Sequence, residues 1–287
     1  MELNRILFPA PAPTYNDEDF PGELIWVPRY DHPEAAAIPC MLLQALNGSS
    51  KVLLYFHGNA EDICLTYEIL DMLRSYLGVH VLAMEYPGYG VYPGKPSADS
   101  ITKDAQAVFD FLTNFLEVNS SDIFVFGRSI GSGPATWLAR NKSAGALILM
   151  SAYTSIRRAV KSIAGSVAQY LVADRFKNID HMPFVKCPTF ILHGQKDKLI
   201  PYSHAQELHE LCGGPSNLYL PPEMDHNEFD YIDDLIHPLL KFFKQCQLQL
   251  EPISLGTAFL DIPSGLFHPP PGQPKTKSKK AEENLIL

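Results

Sequence analysis

Ser129 stands in the run Val125-Phe126-Gly127-Arg128-Ser129-Ile130-Gly131-Ser132-Gly133. A serine hydroxyl is a weak nucleophile and attacks a carbonyl carbon only when a base takes its proton. The Gly-x-Ser-x-Gly pentapeptide decides little alone, because chance supplies it in roughly 7% of chains of this length and composition. Its flanks decide more. "DIFVF" before it reads as a strand, and "IGSGPATWLARN" after it reads as a helix. A tight strand-to-helix turn lifts its serine to the carboxyl edge of a sheet, where ligands bind. Gly127 and Gly131 would keep side chains clear of that turn, and Gly133 would let the helix approach the sheet. A phosphate-cradling loop, the competing reading, would place more glycine ahead of the helix and a lysine near its start.

The base and its acid should follow the serine in the chain, acid first. "PTFILHGQKDKLIP" reads as a strand ending at His193-Gly194, with Asp197 in the loop beyond. Asp197 could orient an imidazole and stabilise its charged form; a lone loop aspartate would otherwise cap a turn. His193 lies too near the acid's own strand to be the base and reads as a strand-end residue. "YLPPEMDHNEF" places His226 in a polar loop after the last strand, in the position the base requires. His204, His209 and His237 fall on predicted helices. Asp225 neighbours His226, but adjacent loop residues generally point apart. The developing oxyanion needs two backbone donors. The amide of Ile130, next after the nucleophile, is one candidate, and the amide of Asn59 in "FHGNA" is the other.

These residues need a frame to hold them. The 287 residues are 46% hydrophobic, enough for one large α/β domain with a full core. A net charge of −9 argues against bulk attraction to nucleic acid or anionic lipid. The apolar run Ile6-Leu7-Phe8 is too short for a signal-peptide core, and no segment approaches the roughly 20 apolar residues of a membrane span. Five scattered cysteines, an odd number, read as free thiols. His204, His209 and Cys212 lack a second ligand pair at zinc spacing, so neither metal nor cofactor is expected.

Short apolar runs ending in turn residues recur: "KVLLYFHG", "VHVLAMEYPGYG", "DIFVFG", "GALILMSAY" and "PTFILHG". They suit parallel strands covered on both faces. "ELIWVP" and "IPCMLLQAL", broken by Pro and Asn-Gly, suggest antiparallel strands at the start. Helical periodicity covers residues 61–77, 99–116, 203–211 and 232–248. The expectation is an α/β fold, a mostly parallel doubly wound sheet with antiparallel N-terminal strands. Residues 1–23 form a lead-in, 24–250 the domain, and 251–287 a flexible Pro- and Lys-rich tail. Residues 153–182 read as a small helical cap. Ile156, Val160, Ile163, Val167, Tyr170 and Leu171 could line an acyl groove there or simply pack the helix.

Over residues 24–248 these motifs resemble the alpha/beta-hydrolase fold. The set "FHGNA", "EYPGYG", "GRSIGSG", "SAYTSI", "HGQKDKLIP" and "MDHNEF", with the lead-in "LFPAPAPTY", is similar to the alpha/beta-hydrolase domain-containing protein 17 family. The resemblance implies a serine hydrolase that removes palmitoyl groups from protein cysteines, with Ser129, Asp197 and His226 as nucleophile, acid and base. The expected partner is an S-acylated protein or small acyl ester; the lack of a signal-peptide core or span points to a cytoplasmic protein, "KTKSKK" could give a weak peripheral contact with a membrane's cytoplasmic face, and the net charge argues against nucleic acid. Tyr153 and Ile156 of the "SAYTSI" motif are the candidate substrate contacts. One departure matters: membrane-targeted members carry a cluster of N-terminal cysteines, whereas the first cysteine here is Cys40, in a predicted strand. The triad is shared with small-molecule carboxylesterases and serine peptidases, and a non-catalytic binding module on the same fold is the third alternative.

Overall fold

In a computed structural model, the described residues are 7–29, 35–165, 170, 173–248, 250 and 259–273. They fall into two compact units, residues 1–119 with 252–287, and residues 120–251.

The first unit carries strands β1 (Leu24–Val27), β2 (Ile38–Leu43), β3 (Val52–Phe56) and β4 (His80–Met84), adjacent in the order β1-β2-β4-β3. β1 pairs with β2 and β2 with β4 antiparallel, while β3 and β4 run parallel. The antiparallel beginning matches the sequence expectation. Every residue of these strands is buried, as unbroken apolar runs require. Helix α1 (Tyr67–Leu77) joins β3 to β4 and buries Ile69, Leu70, Leu73 and Leu77. It ends on Gly78 at φ 64°, a left-handed C-cap that glycine adopts without penalty. The periodicity had suggested a start near residue 61. Instead, the Asp62 carboxylate accepts the amides of Leu65 and Thr14 and the Thr14 hydroxyl, holding this stretch in turns. Helix α2 (Ala98–Asp110) starts on a reciprocal Ser97–Ser100 capping box and continues as a π-helical turn, Phe111–Phe115.

Two terminal segments belong to this unit. In the lead-in, Phe8 and Tyr15 are buried, and the Tyr15 hydroxyl donates to Glu85 Oε2 at 2.9 Å. Residues 259–273 depart from the expected flexible tail. Gln44 pairs its side-chain amide with both backbone groups of Leu260, and Gln273 does the same with Ala37. A short 3₁₀ turn, Ser264–Phe267, packs against β1. Composition reads Pro-rich sequence as unstructured, but Gln44, 216 residues away in the chain, satisfies both backbone groups of Leu260, and Gln273 anchors the segment to Ala37. The lysine-rich stretch "KTKSKK" lies outside the described residues.

The second unit carries β5 (Ile123–Arg128), β6 (Ala146–Met150), β7 (Thr189–Leu192) and β8 (Ser216–Tyr219), adjacent in that order and all parallel. Helix α3 (Ser132–Asn141) links β5 to β6. The cap region opens with α4 (Ile156–Ala164), whose N-cap Ser155 accepts the Arg158 amide, and closes with the short α5 (Asn178–His181). Ile156 and Ala159 of α4 are buried, whereas Ile163 and Tyr170 stay exposed. Val167 and Leu171, named for an acyl groove, lie outside the described residues. Helix α6 (Ser203–Glu210) joins β7 to β8, and α7 (His237–Gln245) closes the unit, burying Leu239, Phe242 and Phe243.

Candidate active site

Ser129 opens a 3₁₀ turn, Ser129–Gly131, directly between β5 and α3. Its φ is +51°, a left-handed conformation that side-chain-bearing residues adopt at a cost. The turn is possible because the residues two places before and after Ser129, Gly127 and Gly131, lack side chains. A β-carbon on Gly127 would stand 2.7 Å from the Gly131 carbonyl carbon, and closer to its oxygen. Gly133 has a different role from the one expected. A β-carbon there would meet the Phe176 side chain, not the sheet, so this glycine admits an aromatic ring from the cap region.

The three sequence-predicted side chains meet. His226 Nε2 lies 3.1 Å from Ser129 Oγ, and His226 Nδ1 lies 2.7 Å from Asp197 Oδ2. Asp197 Oδ1 accepts the amides of Leu199 and Ile200 at 2.9 and 2.8 Å. Burial opposes the charge on Asp197, but the adjacent His193 ring and the hydrogen bonds from His226 and the Ile200 amide outweigh it and hold the carboxyl well below its ordinary range. With Asp197 anionic, the proton on His226 sits at Nδ1 and leaves Nε2 free to accept from the serine.

The loop that carries His226 is fixed from three sides. Gly194 lets it approach: a β-carbon at that position would stand 2.6 Å from the Met224 carbonyl carbon. The Lys196 amide donates to that same Met224 carbonyl at 3.0 Å. Arg128, the residue before the nucleophile, donates to Asn227 Oδ1 at 2.9 Å and to the His226 carbonyl at 3.4 Å. Its guanidinium also lies 6.0 Å from the centre of the Phe229 ring. Sequence reading passed over Arg128, because the second position of the pentapeptide carries no required chemistry. Its adjacency to the serine was the only available signal.

Tyr153 and Ile156 are 2% and 3% exposed. The Tyr153 hydroxyl donates to the Ile130 carbonyl at 3.2 Å, bracing the turn after the nucleophile. Asn178 donates to Ser132 Oγ and to the Tyr153 carbonyl, both at 2.9 Å. His204, His209 and His237 have separate partners. His204 Nδ1 faces the Thr154 amide, and burial together with the nearby Arg158 charge lowers its pKa to about 4. His209 pairs with Ser216, and His237 with Asp233.

In the first unit, Asn59 lies in the turn after β3. Its side chain donates to the Leu7 carbonyl and accepts the Tyr89 hydroxyl, each at 2.9 Å. Beneath that turn the fully buried His57 and Glu85 pair at 3.0 Å. Burial disfavours the His57 cation, but the Glu85 hydrogen bond and charge override it and raise the histidine above its ordinary value.

No helix among the described residues is long and apolar enough to cross a membrane. The family model described as serine aminopeptidase, S33, matches residues 48–181. An alpha/beta hydrolase domain-containing protein of Caenorhabditis elegans, aho-3, is 32% identical over 67% of this chain and 57% of its own length. The chain thus spans little more than half of that relative. Human alpha/beta hydrolase domain-containing protein 17B is 28% identical over 72% of this chain and 71% of its own. Among solved structures, an esterase from Pyrococcus furiosus superimposes with a TM-score of 0.65 at 16% identity, over 83% of this chain and 98% of that one. Est1E from Butyrivibrio proteoclasticus gives 0.63 at 14% identity, over 79% and 100%. The fold is therefore that of the alpha/beta hydrolases. Within that class the chain is similar in sequence to the alpha/beta hydrolase domain-containing protein 17 group.

Proposed function

We propose that this protein is a serine hydrolase that removes palmitoyl or other long acyl groups from protein cysteines. One observation carries the catalytic part: Ser129, His226 and Asp197 stand in hydrogen-bonded series at 3.1 and 2.7 Å. His226 Nε2 takes the Ser129 proton as the oxygen attacks the thioester carbonyl. Asp197 keeps the imidazole oriented and stabilises its charge without taking the proton. The amides of Ile130 and Asn59 are the proposed donors to the oxyanion. His226 then gives its proton to the departing cysteine sulfur. In the second half it deprotonates a water that releases the fatty acid and restores Ser129. Tyr153 and Ile156 are proposed to support the acyl site from beneath. Support for the long-chain thioester comes from the resemblance to the domain-containing protein 17 group, and this proposal includes action at the cytoplasmic face of a membrane.

A second reading, small-molecule carboxylesterase or serine peptidase, draws on the aminopeptidase family match and the esterase neighbours. A fluorophosphonate probe tests the shared chemistry. Wild type should label, and Ser129→Ala should not, with turnover lowered by on the order of a millionfold. An acyl-chain series then separates the readings: palmitoyl-cysteine peptides should outcompete acetyl esters and aminoacyl amides. A strong preference for short esters would overturn the thioesterase reading while leaving the nucleophile in place.

A further inference from the structure

We propose that His193 is a positioning residue for the catalytic carboxylate, and that it belongs to the site as a fourth member. The inference rests on the reading of Ser129, His226 and Asp197 given above. His193 ends β7's run and is fully buried. Its Nε2 donates to the Ile200 carbonyl at 2.8 Å and stands 3.1 Å from Asp197 Oδ2. Both neighbours are acceptors, so the ring proton belongs on Nε2. Nδ1 is buried and has no hydrogen-bond partner among the described residues.

That half-satisfied ring is the informative feature. A buried nitrogen without a partner costs stability, and an apolar side chain of similar size would fill the space without that cost. The return lies on the other nitrogen. Asp197 Oδ1 is held by two backbone amides, but among the described residues Oδ2 has the two imidazoles beside it, His226 at 2.7 Å and His193 at 3.1 Å. Nε2 carries one hydrogen, donated to the Ile200 carbonyl, so its 3.1 Å approach gives Oδ2 the positive side of an N–H dipole and not a second full hydrogen bond. His193 also ties the Ile200 carbonyl, so it closes the 197–200 turn that presents the carboxylate. A fixed carboxylate holds the imidazole in its productive orientation, and catalysis depends on such alignment within fractions of an ångström. Sequence reading set His193 aside for its closeness to Asp197 in the chain. That closeness, four residues across a turn, is what brings the ring under the carboxylate.

Three measurements decide the matter. His193→Phe keeps a planar ring and removes the donor; His193→Gln places an amide N–H near the position of Nε2. In His193→Phe, kcat for an activated ester should fall about tenfold, the low end for a group acting through another, with KM within about twofold. The low-field proton resonance of the His226–Asp197 hydrogen bond should broaden through faster exchange. His193→Gln should restore both. In the wild type, nitrogen-correlated spectra should show the His193 proton on Nε2. A His193→Phe protein with wild-type kcat and a sharp low-field proton overturns the proposal, as does a His193→Gln protein that matches His193→Phe. A wild-type proton on Nδ1 overturns it without any variant, should His193→Phe fail to fold. The resonance is read in the resting protein. A wild type that refuses the fluorophosphonate probe would therefore sink the hydrolase reading, and the His193 question would still be answered.

Discussion

Gly194→Ala should disable the proposed hydrolase activity from a position with no chemistry of its own. A β-carbon on Gly194 would lie 2.6 Å from the Met224 carbonyl carbon and nearer still to the oxygen, both inside the 3.0 Å limit that real β-carbons respect. The obstacle is backbone, so no side chain can swing away. The 224–227 loop must retreat, by roughly 1 Å to restore ordinary contact. His226 sits two residues along that loop, 3.1 Å from Ser129 Oγ. A retreat of that size takes the pair beyond hydrogen-bond reach, and a misplacement of about 1 Å costs on the order of a hundredfold in rate. The same shift strains the Lys196–Met224 backbone bond. Overpacking of this kind costs about 1–3 kcal/mol of stability. The assay is ester turnover and the rate of fluorophosphonate labelling, measured well below the melting temperature. The variant should fold, melt earlier, and label about a hundredfold more slowly. Turnover within threefold of wild type would mean that the histidine loop does not depend on this close approach.

Three further outcomes follow from Asp197 and His204. Asp197→Asn should lower turnover by about four orders of magnitude, since the neutral amide no longer stabilises the imidazolium or selects its tautomer. Asp197 is held well below its ordinary value, so its stabilising contribution is complete above about pH 4 and is lost as pH falls toward the depressed folded value. Chemical denaturation at falling pH should therefore show wild type losing more stability than Asp197→Asn below pH 4. His204 behaves in the opposite range. Its folded pKa is about 4, below its unfolded value of about 6.5, so the unfolded chain binds a proton that the folded chain resists. Stability should fall between about pH 6.5 and 4, and His204→Gln should flatten that slope.

The catalytic candidates were legible because each follows a local rule. A strand, a tight turn and a helix mark Ser129; a strand end followed by a polar loop marks Asp197 and then His226. The parallel strands were legible because burial on both faces demands unbroken apolar runs. Other features had no local signature. The pull of Asp62 on Thr14 spans 48 residues, and that of Glu85 on Tyr15 spans 70. Neither separation leaves a periodicity to read. The docked segment 259–273 was hidden by its composition, because proline-rich sequence signals disorder unless distant side chains such as Gln44 satisfy its backbone.

Residue identity and chain order alone thus determined which atoms could act: a hydroxyl on a strained turn, a carboxylate, an imidazole. Tertiary structure decided how they are held. Arg128 reaches across 98 residues to the His226 carbonyl, Phe176 occupies the space that Gly133 leaves, and His193 lies under Asp197. Those contacts depend on where separate strands end in space, and a strand's sequence specifies its burial but not which loops meet at its end.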